Sequence, residues 1–91
     1  MTMTTLFGRR SYLYREMRLH ELPKGASAVI YEMNNESGIK RRLNDLGFTE
    51  GTVIEKTGVS PLGDPSAYLV RGALIALRDE DASQIGVRAD L

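Results

Sequence analysis

The chain has no cysteine and only one histidine, His20, among its 91 residues. Without thiols there is no disulfide framework, no thiolate metal site and no thiol nucleophile, which excludes a disulfide-stapled secreted scaffold. A tetrahedral zinc site built by one such chain would need mostly carboxylates, an unusual ligand set. Nowhere do about 18 apolar residues run consecutively. The first residues also lack an apolar core followed by a small-residue cleavage site. The expectation is therefore a cytoplasmic protein with no membrane insertion. Net charge is absent too: 12 Lys and Arg balance 12 Asp and Glu, which removes the broad attraction that announces a nucleic-acid binder. Neither G-x-x-x-x-G-K-[ST] nor G-x-G-x-x-G occurs, and the nine glycines scatter over turns, so no phosphate cradle is expected.

What is present suits one compact domain. A hydrophobic content of 42% with 26% charged residues lies far from the composition of disordered chains. Residues 1–16 read as an N-terminal arm that mixes Leu6, Phe7, Tyr12, Leu13 and Tyr14 with arginines and shows no clear period. The arm is either a loosely docked tail or a docking segment whose arginines and tyrosines could stack on bases. Residues 17–91 form the expected domain. Its end is acidic, through Asp79, Glu80, Asp81 and Asp90, and acids in a helical first turn complement the helix dipole.

After a turn at Leu19–Gly25, residues Ala28 to Met33 alternate as a strand. Ile39, Leu43 and Leu46 then recur at i, i+4 and i+7, predicting a helix of about ten residues. Ser37 or Asn35 could cap its start, and Gly47 suits the left-handed position past its end. Phe48-Thr49-Glu50-Gly51 repeats the pattern of Leu22-Pro23-Lys24-Gly25, and each glycine feeds a β-branched run, here Thr52 to Thr57. Pro61-Leu62-Gly63-Asp64-Pro65 predicts a stiff loop, since each proline restricts its predecessor. Ala67–Val70 and Ala73–Arg78 read as strands around the hairpin turn Arg71-Gly72. A helical turn from Asp79 and a closing strand Ile85–Val87 complete the chain.

These elements predict a mainly β fold: a small SH3-like antiparallel barrel of about five strands, with one short α-helix inserted after the first strand. The expected core is Val29 or Ile30 with Leu43, Leu46, Ile54, Leu69, Ile75, Leu77, Ala82, Ile85 and Val87. A catalytic set is missing, because an enzyme needs a nucleophile, an acid–base pair or a metal in reach. A lone His20 beside a turn proline is a surface or packing residue, and Lys40-Arg41-Arg42 on one helix is a solvated basic face. No catalytic residue, metal ligand or cofactor is assigned. What remains is a rigid barrel suited to binding a protein or peptide. The expected contact residues are Arg41, Arg42 and Leu46 on the helix with Pro61, Leu62, Gly63, Asp64 and Pro65 on the loop. Leu62 is either satellite core beneath the loop or an exposed anchor. A weak homo-oligomer is also compatible with the sequence.

From Arg41-Arg42-Leu43-Asn44-Asp45-Leu46-Gly47 to Gly51, through Pro61–Pro65, to Arg71-Gly72 and Ala76-Leu77-Arg78, the chain resembles the FeoA family. The resemblance spans about Met17 to Val87. It implies an SH3-like fold, a link to transition metal ions, and a cytoplasmic adaptor role in bacterial ferrous-iron uptake beside a FeoB-type membrane transporter. It also suggests an alternative, a self-associating or metal-sensing module related to the C-terminal domain of DtxR-type repressors.

Overall fold

A computed structural model describes residues 14–34 and 38–90. Six antiparallel strands form one sheet in the order β1-β6-β2-β3-β4-β5. They are β1 (Arg15–Arg18), β2 (Ser27–Met33), β3 (Val53–Val59), β4 (Ser66–Val70), β5 (Ala73–Leu77) and β6 (Ile85–Ala89). A 3-10 turn, Leu19–Glu21, follows β1; helix α1 (Ile39–Asp45) joins β2 to β3, and the single turn α2 (Asp79–Ala82) joins β5 to β6. This is the SH3-like arrangement, with one strand more than the sequence predicts. The additional strand is β1, and it includes Arg15 and Glu16 from the expected arm. It pairs with β6 from Arg15↔Ala89 to Arg18↔Gly86. Glu16 accepts a 3.0 Å hydrogen bond from Arg88 Nε. The Arg88 guanidinium lies 4.4 Å from the Tyr31 ring centre and 5.2 Å from that of Tyr14, a cation–π contact with each ring; residues 1–13 of the expected arm lie outside the described residues.

The repeated turn pattern has a structural meaning. Pro23 C=O accepts from Ala26 N–H at 3.0 Å, and Thr49 C=O accepts from Thr52 N–H at 3.1 Å. Gly25 and Gly51 take φ of +89° and +88°, the positive value a type II turn needs at its third residue. Each turn then docks on the middle of the other strand. Gly25 N–H donates to Lys56 C=O (2.7 Å) and Gly51 N–H to Ile30 C=O (2.8 Å), while Lys56 and Ile30 N–H donate back to Ala26 and Thr52 C=O. The β2–β3 ladder, Ser27↔Glu55 to Val29↔Val53, is thus clamped at both ends by a local two-fold.

Helix α1 has seven residues, shorter than expected, and begins after Gly38 without a side-chain cap. The proposed caps Ser37 and Asn35 lie outside the described residues. Its end is a Schellman motif: Phe48 N–H donates to Leu43 C=O (2.9 Å) and Gly47 N–H to Asn44 C=O (3.0 Å), with Gly47 at φ +106°. The hydrophobic contact that accompanies this motif joins Leu43 to Phe48, both fully buried.

Ile30, Leu43, Ile54, Leu77, Ala82, Ile85 and Val87 occupy the core as expected, and Ile75 packs against it. Leu46 and Leu69 do not, being 44% and 37% exposed. Leu46 sits one residue beyond the last helical position, and Leu69 falls on the outer face of β4. The inner face of that strand carries Ser66, Tyr68 and Val70, since successive side chains alternate across a sheet. Leu19, Leu22, Phe48 and Tyr68 add the other large side chains of the core, with Ala28, Met33, Val70 and Ala89.

Both Gly25→Ala and Gly47→Ala strain a positive-φ backbone, at about 1 kcal/mol or more each. Only at Gly47 would the added Cβ also press on Val70 Cγ1 at 3.2 Å, because nothing lies within 4 Å at Gly25. Urea unfolding is expected to show Gly47→Ala as the more damaging of the two.

Candidate docking site

Ser60 C=O accepts from Gly63 N–H at 2.8 Å, and Ser60 N–H donates to Pro65 C=O at 3.1 Å. The segment Pro61–Pro65 is thereby closed on itself between β3 and β4, and all five of its residues are exposed. Proline at the second position of the first of these turns presets φ. Leu62 stands out from it at 94% exposure. Leu62 is therefore not satellite core beneath the loop.

The loop is anchored through Asp64, whose Oδ1 accepts the Asp79 N–H at 3.0 Å. That amide opens α2 and has no acceptor within the helix, so the carboxylate satisfies an orphan donor where the helix dipole favours negative charge. Two residues along, Asp81 Oδ2 accepts from Arg42 of α1 at 2.9 Å. The Arg42 side chain is 60% exposed and that of Asp81 only 16%. An ion pair this open contributes under about 1 kcal/mol to stability; its effect is to fix the position of α1 relative to α2. The loop, α2 and α1 therefore form one connected surface. Arg41 on α1 and Leu46 just past its end are also exposed.

Beneath this surface lies Tyr68, fully buried on β4. Its hydroxyl and the Ser66 Oγ have no hydrogen-bond partner among the described residues. Burial pushes the phenol from its ordinary 10.0 up to about 12; the Ser66 side chain acts the other way, and the carboxylates of Asp79 and Asp64 add to the rise. The Lys56 ammonium, 5.9 Å from the ring centre, donates to His20 C=O at 3.0 Å. A carbonyl and an aromatic face thus compensate a nearly buried charge. Among the described residues no group of three or more His, Asp or Glu side chains is placed to hold a metal ion, and no helix is long and apolar enough to cross a membrane.

Of the eight contact residues expected from the sequence, five form the loop, Arg41 and Arg42 lie on α1 and Leu46 caps its end, and α2 links the loop to α1. Sequence reasoning missed Asp79 and Asp81 as that link, because their acids read as a helix start and no spacing connects them to Asp64 or Arg42.

A family model for the FeoA domain matches residues 17–89. The chain belongs to the FeoA family. It is 37% identical over 71 residues to an Fe(2+) transport protein A/Fe(2+) transporter FeoB fusion protein of Porphyromonas gingivalis, a match covering 78% of this chain and 8% of that protein. The chain thus spans less than a tenth of that curated relative. Among solved structures, a FeoA-like protein from Clostridium acetobutylicum superposes with a TM-score of 0.79 at 31% identity, covering 85% of this chain and 90% of the other. Stenotrophomonas maltophilia FeoA, solved in complex with zinc and described as an SH3-domain protein, gives 0.69 at 33% identity over 78% and 88% of the two chains.

The folded Tyr68 phenol keeps its proton to higher pH than the unfolded one. The stability this contributes is full below about pH 10 and is lost as pH rises towards 12. Urea midpoints measured from pH 8 to 12 are expected to fall less steeply for Tyr68→Phe than for wild type. At neutral pH the substitution is expected to cost under about 1 kcal/mol, since it removes an unpartnered buried hydroxyl.

Proposed function

We propose that this FeoA-family chain is a non-catalytic cytoplasmic adaptor of ferrous-iron uptake that docks on the cytoplasmic part of a FeoB-type transporter. The observation that carries this reading is the connected surface in which Asp64 holds Asp79 and Arg42 holds Asp81, with Leu62 projecting from it at 94% exposure. A large aliphatic side chain held out by a closed turn is an anchor whose ordering cost has already been met by the fold. Arg41 and Arg42 on α1 supply charge that sets orientation and encounter rate. The Porphyromonas gingivalis relative, which carries both functions in one chain, supports placing this domain next to a transporter of that kind. The contact residues in this reading are Arg41, Arg42, Leu46, Pro61, Leu62, Gly63, Asp64 and Pro65.

Titration of the full chain into the cytoplasmic part of a FeoB-type transporter is expected to give saturable binding. Leu62→Glu and Arg42→Glu are each expected to weaken it at least tenfold, the effect of losing a central anchor or an orienting charge, with an unchanged far-UV circular dichroism spectrum. Absence of binding by the wild-type chain, or full binding by both variants, contradicts the assignment.

A further inference from the structure

The two edges of the sheet differ in kind. β1 carries charge at Arg15, Glu16 and Arg18, the usual protection of an exposed edge against pairing with another chain. β5 reads Ala-Leu-Ile-Ala-Leu, with no charge in it, and Leu74 is 68% exposed. Because the Arg71-Gly72 turn has two residues and Val70 pairs with Ala73, the polar backbone of Ala73, Ile75 and Leu77 faces β4. That of Leu74 and Ala76 faces outward, and no other backbone segment among the described residues bonds to it.

We propose that β5 is the pairing edge of a two-fold symmetric dimer of this chain, antiparallel and centred on Ile75. A second copy is the occupant because β5 is complementary to itself. With Ile75 opposite Ile75, the outward-facing N–H and C=O of Leu74 meet those of Ala76 in the other copy, and the reverse, giving about four new backbone hydrogen bonds. The same register sets each exposed Leu74 side chain against the small Ala76 on the outer face. Behind them, Leu69 pairs with Leu74 and Ala67 with Ala76, so an apolar outer strip runs on across the dyad. It also places Arg78 opposite Gly72, which has no side chain to obstruct it. With 12 positive and 12 negative side chains, no net repulsion opposes two copies meeting. The interface is small, so the dimer is weak and forms with concentration.

Sedimentation equilibrium of the full chain from about 10 μM to about 1 mM covers the affinities such an interface allows. The weight-average mass is expected to climb from the monomer towards twice that value. Leu74→Lys, which places charge on the edge, and Ala76→Pro, which removes an outward N–H without touching the β4 ladder, are each expected to weaken association at least tenfold. Val53→Lys, exposed on β3 away from the edge, leaves it unchanged. A mass that stays monomeric at the highest concentration overturns the proposal, as does equal association by Leu74→Lys. A wild-type monomer whose Leu74→Lys variant loses binding to the transporter's cytoplasmic part would overturn it in favour of that partner, and leaves the docking role itself standing.

Discussion

The reciprocal clamp between β2 and β3 is the constraint on which the remaining geometry depends. Gly25 and Gly51 each place an N–H on a carbonyl of the opposite strand, so the two strands cannot slip by one residue without losing both turns. A one-residue slip would turn one of the two inward sets outward, either Ala28 and Ile30 or Ile54 and Lys56. With this ladder fixed, α1 spans from the end of β2 back to the start of β3, and its Schellman end drives Phe48 into the core beside Leu43. β3 continues to the Pro61–Pro65 loop, which therefore leaves the sheet at a set place and angle.

The proposed docking surface is an extension of this rigidity. Neither α1 nor α2 is long enough to be stable by itself in water, and each is held by tertiary contacts. Leu43 and Ala82 are buried, Asp64 completes the start of α2, and the Arg42–Asp81 pair sets one helix against the other. A short loop closed by two backbone bonds and a carboxylate loses little freedom when a partner arrives. Beneath it, Tyr68 and Ser66 carry buried hydroxyls without partners among the described residues, a local cost tolerated under the proposed docking surface.

Local geometry was legible in the sequence and long-range geometry was not. Gly25, Gly47, Gly51 and Gly72 were readable because each serves a turn formed by its near neighbours. The inner and outer faces of β4 were ambiguous because Ala67, Tyr68, Leu69 and Val70 are all apolar or amphipathic, so alternation could not tell Leu69 from Tyr68. β1 was missed because Arg15-Glu16-Met17-Arg18 is a charged edge whose strand form depends on β6, more than 60 residues later. For the site, the loop and the basic face of α1 could be named from residue type. The bonds that join them, from Asp64 to Asp79 and from Arg42 to Asp81, span 15 and 39 residues and leave no periodic trace.

The central claim is that the loop, α2 and α1 act as one docking surface. Amide chemical-shift mapping of the isotope-labelled chain during titration with the cytoplasmic part of a FeoB-type transporter tests it most directly. The account predicts that signals of Arg41, Arg42, Leu46, Leu62, Gly63 and Asp64 move together with those of Asp79 to Asp81, with one common affinity. Perturbations confined to β1 or β5, or loop and helix signals that respond with separate affinities, would contradict it.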